Sequence, residues 1–243
     1  MKLPKIVSQG LQAYGRIAYP IVRGAAEPIL RQVFSTHPEG LEHVPRKGPA
    51  IITPNHLGLV DPLFVALAVP RQIIFIGKAE YWDAWQSRWL MEIAGGIPVN
   101  RDDSVKAHGS LQAGTEVLQR GDLLCLFPEG TRSPDGRLFK GKTGAARMAL
   151  EVGCPVIPCG LIGTEKVLPK GSTIPKRTRV KVRFGPPMHV PKQALVDAHL
   201  LRVFTDALMQ EIAKLTGQTY RHRYSYQKKM GSVDAPVAAT FGG

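Results

Sequence analysis

His56 and Asp61 form a His-x4-Asp pair just past an apolar run, Pro49 to Pro54, that reads as a strand. A carboxylate has enough lone pairs to accept one imidazole N–H and further amides besides. Such a bond fixes the ring tautomer, leaves the other nitrogen as a base and stabilises the imidazolium that forms when the base takes a proton. With Pro62 as the first helical residue, Asp61 is expected at the helix N-cap, its carboxylate kept ionised by nearby amides and the helix dipole. The plainer reading makes Asp61 a cap and His56 a loop residue, and a second signal is needed to choose.

That signal is the run Phe127-Pro128-Glu129-Gly130-Thr131-Arg132-Ser133, which follows a second apolar stretch, Leu123 to Phe127. Arg132, in a glycine-containing turn after a strand, suits bidentate capture of a phosphate, with turn amides as extra donors. Lys78 and Arg101 each follow a candidate strand too. Glu129 belongs beside an anion only if it anchors an arginine or a backbone amide. Nothing resembles a protein nucleophile, since there is no Gly-x-Ser-x-Gly elbow and no cysteine next to a histidine. A base without a nucleophile implies direct attack by a substrate hydroxyl. The phosphate binders point to a phosphorylated alcohol as acceptor or a phosphorylated carrier as donor.

These residues need a frame that brings strand ends together. From residue 49 onward apolar runs at 49–54, 73–77, 97–99, 122–127, 156–161 and 179–184 alternate with helical patterns at 62–69, 80–93, 103–120, 142–152 and 191–216. The alternation predicts an α/β fold, a mostly parallel or mixed central sheet flanked by helices. Open sheets of that kind bind ligands at the carboxyl ends of their strands, where both motifs would lie. Ahead of this, Leu3, Val7, Leu11, Tyr14, Ala18, Ile21, Ala25, Ile29 and Val33 make a helical stripe with Lys2, Lys5, Arg16, Arg23 and Arg31 off it. Residues 1–36 therefore read as an amphipathic helical arm, broken at Pro20 and Pro28, that either lies on a bilayer or packs on the domain's own core. Residues 37–218 form the main domain, and the polar, glycine-rich 219–243 reads as a poorly ordered tail.

The 243 residues carry 32 Lys+Arg against 19 Asp+Glu, a net charge of +13, so anionic partners are expected. Basic residues concentrate between Lys166 and Lys192, where no acidic residue occurs. Acidic lipid headgroups or a phosphorylated cofactor tail would suit that segment. Cys125, Cys154 and Cys159 have neither zinc spacing nor a CxxC and read as buried, reduced hydrophobes, with no metal site expected. The absence of a long apolar run or a signal-peptide core predicts neither a membrane span nor secretion.

Taken together the motifs resemble the glycerolipid acyltransferases, most of all the 1-acylglycerol-3-phosphate (lysophosphatidic acid) acyltransferases. Four blocks stand in the family's order between about residues 40 and 190: Asn55-His56 to Asp61; Gly95-Gly96-Ile97-Pro98-Val99-Asn100-Arg101; Phe127 to Ser133, complete; and Val156-Ile157-Pro158-Cys159. The resemblance implies His56 as general base and Asp61 as its partner. It places Arg101, Glu129, Gly130, Thr131 and Arg132 at the acceptor site, with Asn55 also on the substrate side and Lys78 near the phosphate or oxyanion. It further implies acyl-CoA or an acyl carrier protein as co-substrate, no other cofactor, a lysophospholipid acceptor, and peripheral attachment to anionic lipid at the cytoplasmic membrane face. Another lysophospholipid, glycerol-3-phosphate or a glycolipid would be the alternative acceptor. One position departs: many members carry Ser two residues after the histidine, and here it is Gly58.

Two rivals from other classes are weighed on the same residues. Gly136 to Thr143 satisfies the Walker A pattern, but a turn rather than a strand leads into it and no partner aspartate for magnesium is evident. The positive charge would serve nucleic acid equally well, yet the chain has no zinc spacing, RNP-like strand or obvious recognition helix, so no specific nucleic acid is expected.

Overall fold

The structure is a computed structural model and describes residues 21, 24–25, 28–29, 31–78, 97–99, 104–169, 171–172, 174–191 and 197–225. Its strands are β1 (His37–Glu39), β2 (Ala50–Pro54), β3 (Ile73–Lys78), β4 (Ile97–Val99), β5 (Leu123–Cys125), β6 (Leu138–Phe139), β7 (Val156–Ile162), β8 (Lys181–Phe184) and β9 (Tyr220–Arg221). Its helices are α1 (Asp61–Ala68), α2 (Ser104–Gln119), α3 (Gly144–Val152), α4 (Thr164–Val167) and α5 (Ala198–Thr216).

Seven strands make one sheet in the order β1-β8-β7-β2-β5-β3-β4. β2, β3, β4, β5 and β7 run parallel, whereas β8 is antiparallel to β7 and parallel to β1. The mixed α/β sheet expected from the alternation is therefore present. All five positions of β2 are buried, as befits a central strand covered on both faces. Ile52 joins Phe64 and Val65 of α1 on one side. Ile51 faces the other way, into a core with Leu118 of α2, Met148 of α3, and Leu208 and Ile212 of α5. The period-two alternation of strand side chains thus feeds two apolar layers from one segment. Because the five parallel strands share a direction, the residues after β2, β5 and β7 emerge along one edge. Lys78, the last residue of β3, reaches the same edge.

Several boundaries differ from the sequence expectation. The last long helix begins at Ala198, capped by the Asp197 side chain, which accepts from the His199 amide at 2.8 Å. The expected tail from 219 is partly structured: β9 pairs with β6, and the Tyr220 hydroxyl donates to Asp206 at 3.0 Å. The remainder, 226–243, lies outside the described residues, as do the expected helix over 80–93 and positions 1–20 of the arm. In the described part of the arm, residues 31–34 are helical, Ile21, Ile29 and Val33 are exposed, and Phe34 is buried edge-on against Phe64 at 5.4 Å between centroids. No helix among the described residues is long and apolar enough to cross a membrane.

Candidate active site

His56 is held from four sides. Its Nδ1 lies 2.8 Å from Asp61 Oδ2, and a carboxylate can only accept, so in the neutral ring Nδ1 holds the proton and Nε2 the lone pair. The backbone amide of His56 donates to Glu129 Oε1 at 3.1 Å, and its carbonyl accepts from the Ser133 amide at 2.7 Å. Phe127 stacks under the ring at 4.1 Å. Among the described residues every polar atom of His56 except Nε2 has a partner. The side chain is 14% exposed, whereas Asp61 is fully buried behind it.

Asp61 does not cap its helix as expected. The N-cap is Val60, and Asp61 is the first residue of α1, with Pro62 next. Its carboxylate turns back instead, Oδ2 accepting from the amides of Leu57 and Gly58 at 2.6 and 2.8 Å as well as from the histidine. The loop amides therefore take the place on the carboxylate that the helix end was expected to fill. Gly58 has a reason of its own to lack a side chain. A Cβ there would stand 3.1 Å from the Thr164 carbonyl oxygen and 3.4 Å from Asp61 Oδ1, so a serine would require the neighbouring loop to give way.

Two residues expected to touch substrate are internal braces. Asn55 is fully buried; its side chain donates to the Leu161 carbonyl and Gln218 Oε1 and accepts from the Leu161 amide, extending the β2–β7 pairing past its last backbone rung. Glu129 is 3% exposed, with Oε1 on the His56 amide and Oε2 on the Phe139 amide at 2.9 Å. The carboxylate ties the turn after β5 to the base and to β6, the anchoring of a backbone amide that its type allowed. Burial pushes its pKa from the ordinary 4.5 up to about 7, the two amides opposing the shift. A carboxyl that is harder to ionise when folded favours the native state most where it is protonated in both states. Stability from this group is thus full below about pH 4.5 and is lost as pH rises to about 7, by up to about 3 kcal/mol. Urea titrations between pH 4 and 8 on wild type and Glu129→Gln would show this component only in the wild type.

Gly130, Thr131 and Arg132 follow on the outer side. Gly130 adopts φ of 72°, a conformation favouring glycine, and this turns the chain so that Thr131 and Arg132 are exposed while Ser133 returns to His56. Arg132 has no ion-pair partner among the described residues. The sequence reading missed Lys142, whose side chain lies against Gly130, with Nζ 3.1 Å from where a Cβ would stand. Its only sequence signal was the spurious Walker A match. Lys78 ends β3 at the same edge, and Arg101 lies outside the described residues, two positions after β4 ends.

The Walker A reading fails on its amides. A phosphate-binding loop needs free N–H groups, but those of Arg137, Leu138, Phe139, Lys140 and Lys142 already donate to Asp135, Thr219, Glu129, Arg223 and Pro128. The cysteines are buried and unpaired. Burial, and at Cys125 and Cys159 the nearby Asp61, pushes the thiols up; Cys154 reaches about 11. They are therefore poor nucleophiles at neutral pH. Among the described residues no group of His, Cys, Asp and Glu could hold a metal ion.

The site is thus a His56–Asp61 pair at the carboxyl ends of the parallel strands of a mixed α/β sheet, with the turn from Glu129 to Arg132 beside it. Comparison with known proteins places this arrangement in a family. The family described as Acyltransferase matches residues 36–162, and the chain belongs to that family. It is 35% identical over 156 residues to the chloroplastic 1-acyl-sn-glycerol-3-phosphate acyltransferase LPAT1 of Arabidopsis thaliana, covering 63% of this chain and 44% of that protein. The 1-acyl-sn-glycerol-3-phosphate acyltransferase of Bacillus subtilis is 28% identical, over 72% of this chain and 84% of its own length. The crystal structure of the 1-acyl-sn-glycerophosphate (LPA) acyltransferase PlsC from Thermotoga maritima superposes with a TM-score of 0.63 at 25% identity, covering 82% and 81% of the two chains. The chain spans under half the length of the plant protein it matches.

Proposed function

We propose that this protein transfers a fatty acyl group from acyl-CoA or an acyl carrier protein to the free hydroxyl of lysophosphatidic acid, giving phosphatidic acid. The observation that carries the reading is His56, oriented by Asp61 with Nε2 alone unpartnered among the described residues, beside the Arg132 turn. Its relatives' names point to the same acceptor.

Nε2 removes the hydroxyl proton of the acceptor as the oxygen attacks the thioester carbonyl. The tetrahedral oxyanion collapses, the C–S bond breaks, and the thiolate takes the proton back from the imidazolium. Buried Asp61, bonded to Nδ1, stabilises that imidazolium between the two transfers. Lys78 and Arg101 are assigned to the oxyanion or phosphate, and Arg132 with Lys142 to the acceptor phosphate. Direct transfer needs no acyl-enzyme, which accords with the raised cysteine thiols. An acceptor that resides in a bilayer is met at its surface, and we assign the protein to peripheral attachment at the cytoplasmic membrane face.

Purified protein given one acyl-CoA and a panel of acceptors is the test. Phosphatidic acid should form fastest, and preferred acylation of another lysophospholipid, glycerol-3-phosphate or a glycolipid would replace the acceptor assignment. Arg132→Lys keeps the charge but loses the planar fork, so the KM for lysophosphatidic acid should rise about tenfold, with the acyl-CoA KM little changed. The reverse pattern would assign Arg132 to the phosphates of CoA.

A further inference from the structure

The loop between α4 and β8 leaves the sheet at the edge that carries His56. β7 runs parallel to β2 and ends at Ile162, and β8 starts at Lys181 antiparallel to β7, so the intervening chain lies on the catalytic side. Its base touches the site, because Gly58 rests against the Thr164 carbonyl. Its far end is tied to the exit of the N-terminal helical segment, the Val180 amide donating to the Phe34 carbonyl at 3.0 Å.

The loop is closed by its own hydrogen bonds. The Lys176 amide reaches the Val167 carbonyl at 2.7 Å, the Ser172 amide the Pro169 carbonyl at 2.9 Å, and the Ser172 hydroxyl the Ile174 carbonyl at 3.0 Å. Within this structured turn Ile174 stays 74% exposed. A lone exposed isoleucine means little. Here Lys166, Lys176, Arg177 and Arg179, near it in the sequence, are exposed too, none with an ion-pair partner among the described residues, and the sequence from Lys166 to Lys192 has no acidic residue. Glu165, just before, is the acidic side chain nearest in sequence. Leu59, next to Gly58, is 40% exposed on the same edge, and Val33, before Phe34, is 38% exposed.

We propose that this loop seats the catalytic edge on an anionic phospholipid bilayer, Ile174 entering the interface and Lys176, Arg177 and Arg179 meeting the headgroups. Apolar insertion flanked by cations is the combination that an anionic bilayer rewards and that a soluble anion would not need. The contact would hold the mouth beside His56 at the surface where a lysophospholipid resides. Its purpose rests on the acyltransferase reading, but its evidence does not, and binding is measured without turnover.

The test is co-sedimentation of the full chain with phosphatidylglycerol–phosphatidylcholine vesicles and with pure phosphatidylcholine vesicles. At low salt, Lys176→Ala/Arg177→Ala/Arg179→Ala should weaken partitioning onto the anionic vesicles by on the order of a hundredfold, from roughly fivefold per cation. Ile174→Ser should weaken it about tenfold with little dependence on salt. Neither change should alter the acyl-CoA KM measured with a soluble, short-chain acceptor. As a readout that spares the cations, Ile174→Cys carrying an environment-sensitive dye should shift to the blue on anionic vesicles, the native cysteines being buried. Wild-type partitioning by folded variants, or a dye that stays in water, overturns the proposal. A raised acyl-CoA KM with unchanged vesicle binding also overturns it, assigning the cations to the carrier's phosphates. If no acyl transfer is found yet the variants lose vesicle binding, the surface stands and the reaction fails.

Discussion

His56→Ala should lose about 10²–10⁴ in kcat while melting within a few degrees of the wild type. Removing the imidazole takes away the base, but it leaves the backbone bonds to Glu129 and Ser133 in place, so the strand ends should stay where they are. KM for both substrates should move little, since Nε2 is asked to act in the transition state rather than to hold the ground state. Asp61→Asn should follow with a loss of similar order. An asparagine oxygen in the place of Oδ2 can still accept from Leu57, Gly58 and the ring, but it no longer supplies the charge that balances an imidazolium. Steady-state assays beside thermal melts decide the matter. Near wild-type turnover in folded His56→Ala would remove the base from the mechanism.

Glu129→Ala should act chiefly on the fold. It strips the partner from two amides, His56 and Phe139, the second of them in a buried bond, and opens a cavity between the turn after β5 and β6. Orphaned buried donors and lost packing together predict a stability loss of about 2–4 kcal/mol, a large share of what a domain of this size has to spare. Turnover should fall as well, because the same carboxylate holds the His56 backbone amide. Glu129→Gln keeps the volume and one acceptor but turns an amide donor toward a backbone donor, so it should land between alanine and wild type. Denaturant unfolding measures the first effect. Unchanged stability in Glu129→Ala would mean that water satisfies both amides and the brace is dispensable.

Much of this arrangement was legible in the residues. Apolar runs ending at Pro54, Val99, Phe127 and Leu161 located strands within a residue or two, because buried parallel strands leave continuous hydrophobic stretches. The His-x4-Asp spacing matched the hydrogen bond that forms. What was not legible depended on long-range pairing. Neither Leu138–Phe139 nor Tyr220–Arg221 looks like a strand alone, and each forms one only against the other. Asn55 looked like a substrate ligand because nothing local shows that Leu161 and Gln218 come to meet it. Asp61 before Pro62 has the pattern of a cap, yet the preceding loop curls its Leu57 and Gly58 amides onto the carboxylate first. Lys142 was passed over because its proximity to Gly130 is produced by the β6 detour, not by sequence spacing.

The central claim is direct acyl transfer through His56, and one reaction followed by mass spectrometry tests it. Purified protein is mixed with excess acyl-CoA, sampled for intact protein mass, then given lysophosphatidic acid and sampled again for lipid product. The account predicts an unmodified protein mass throughout, with phosphatidic acid and free CoA appearing together only after the acceptor is added. An acyl adduct on the protein that forms before the acceptor and decays into phosphatidic acid after it would contradict the account, replacing the base with a nucleophile.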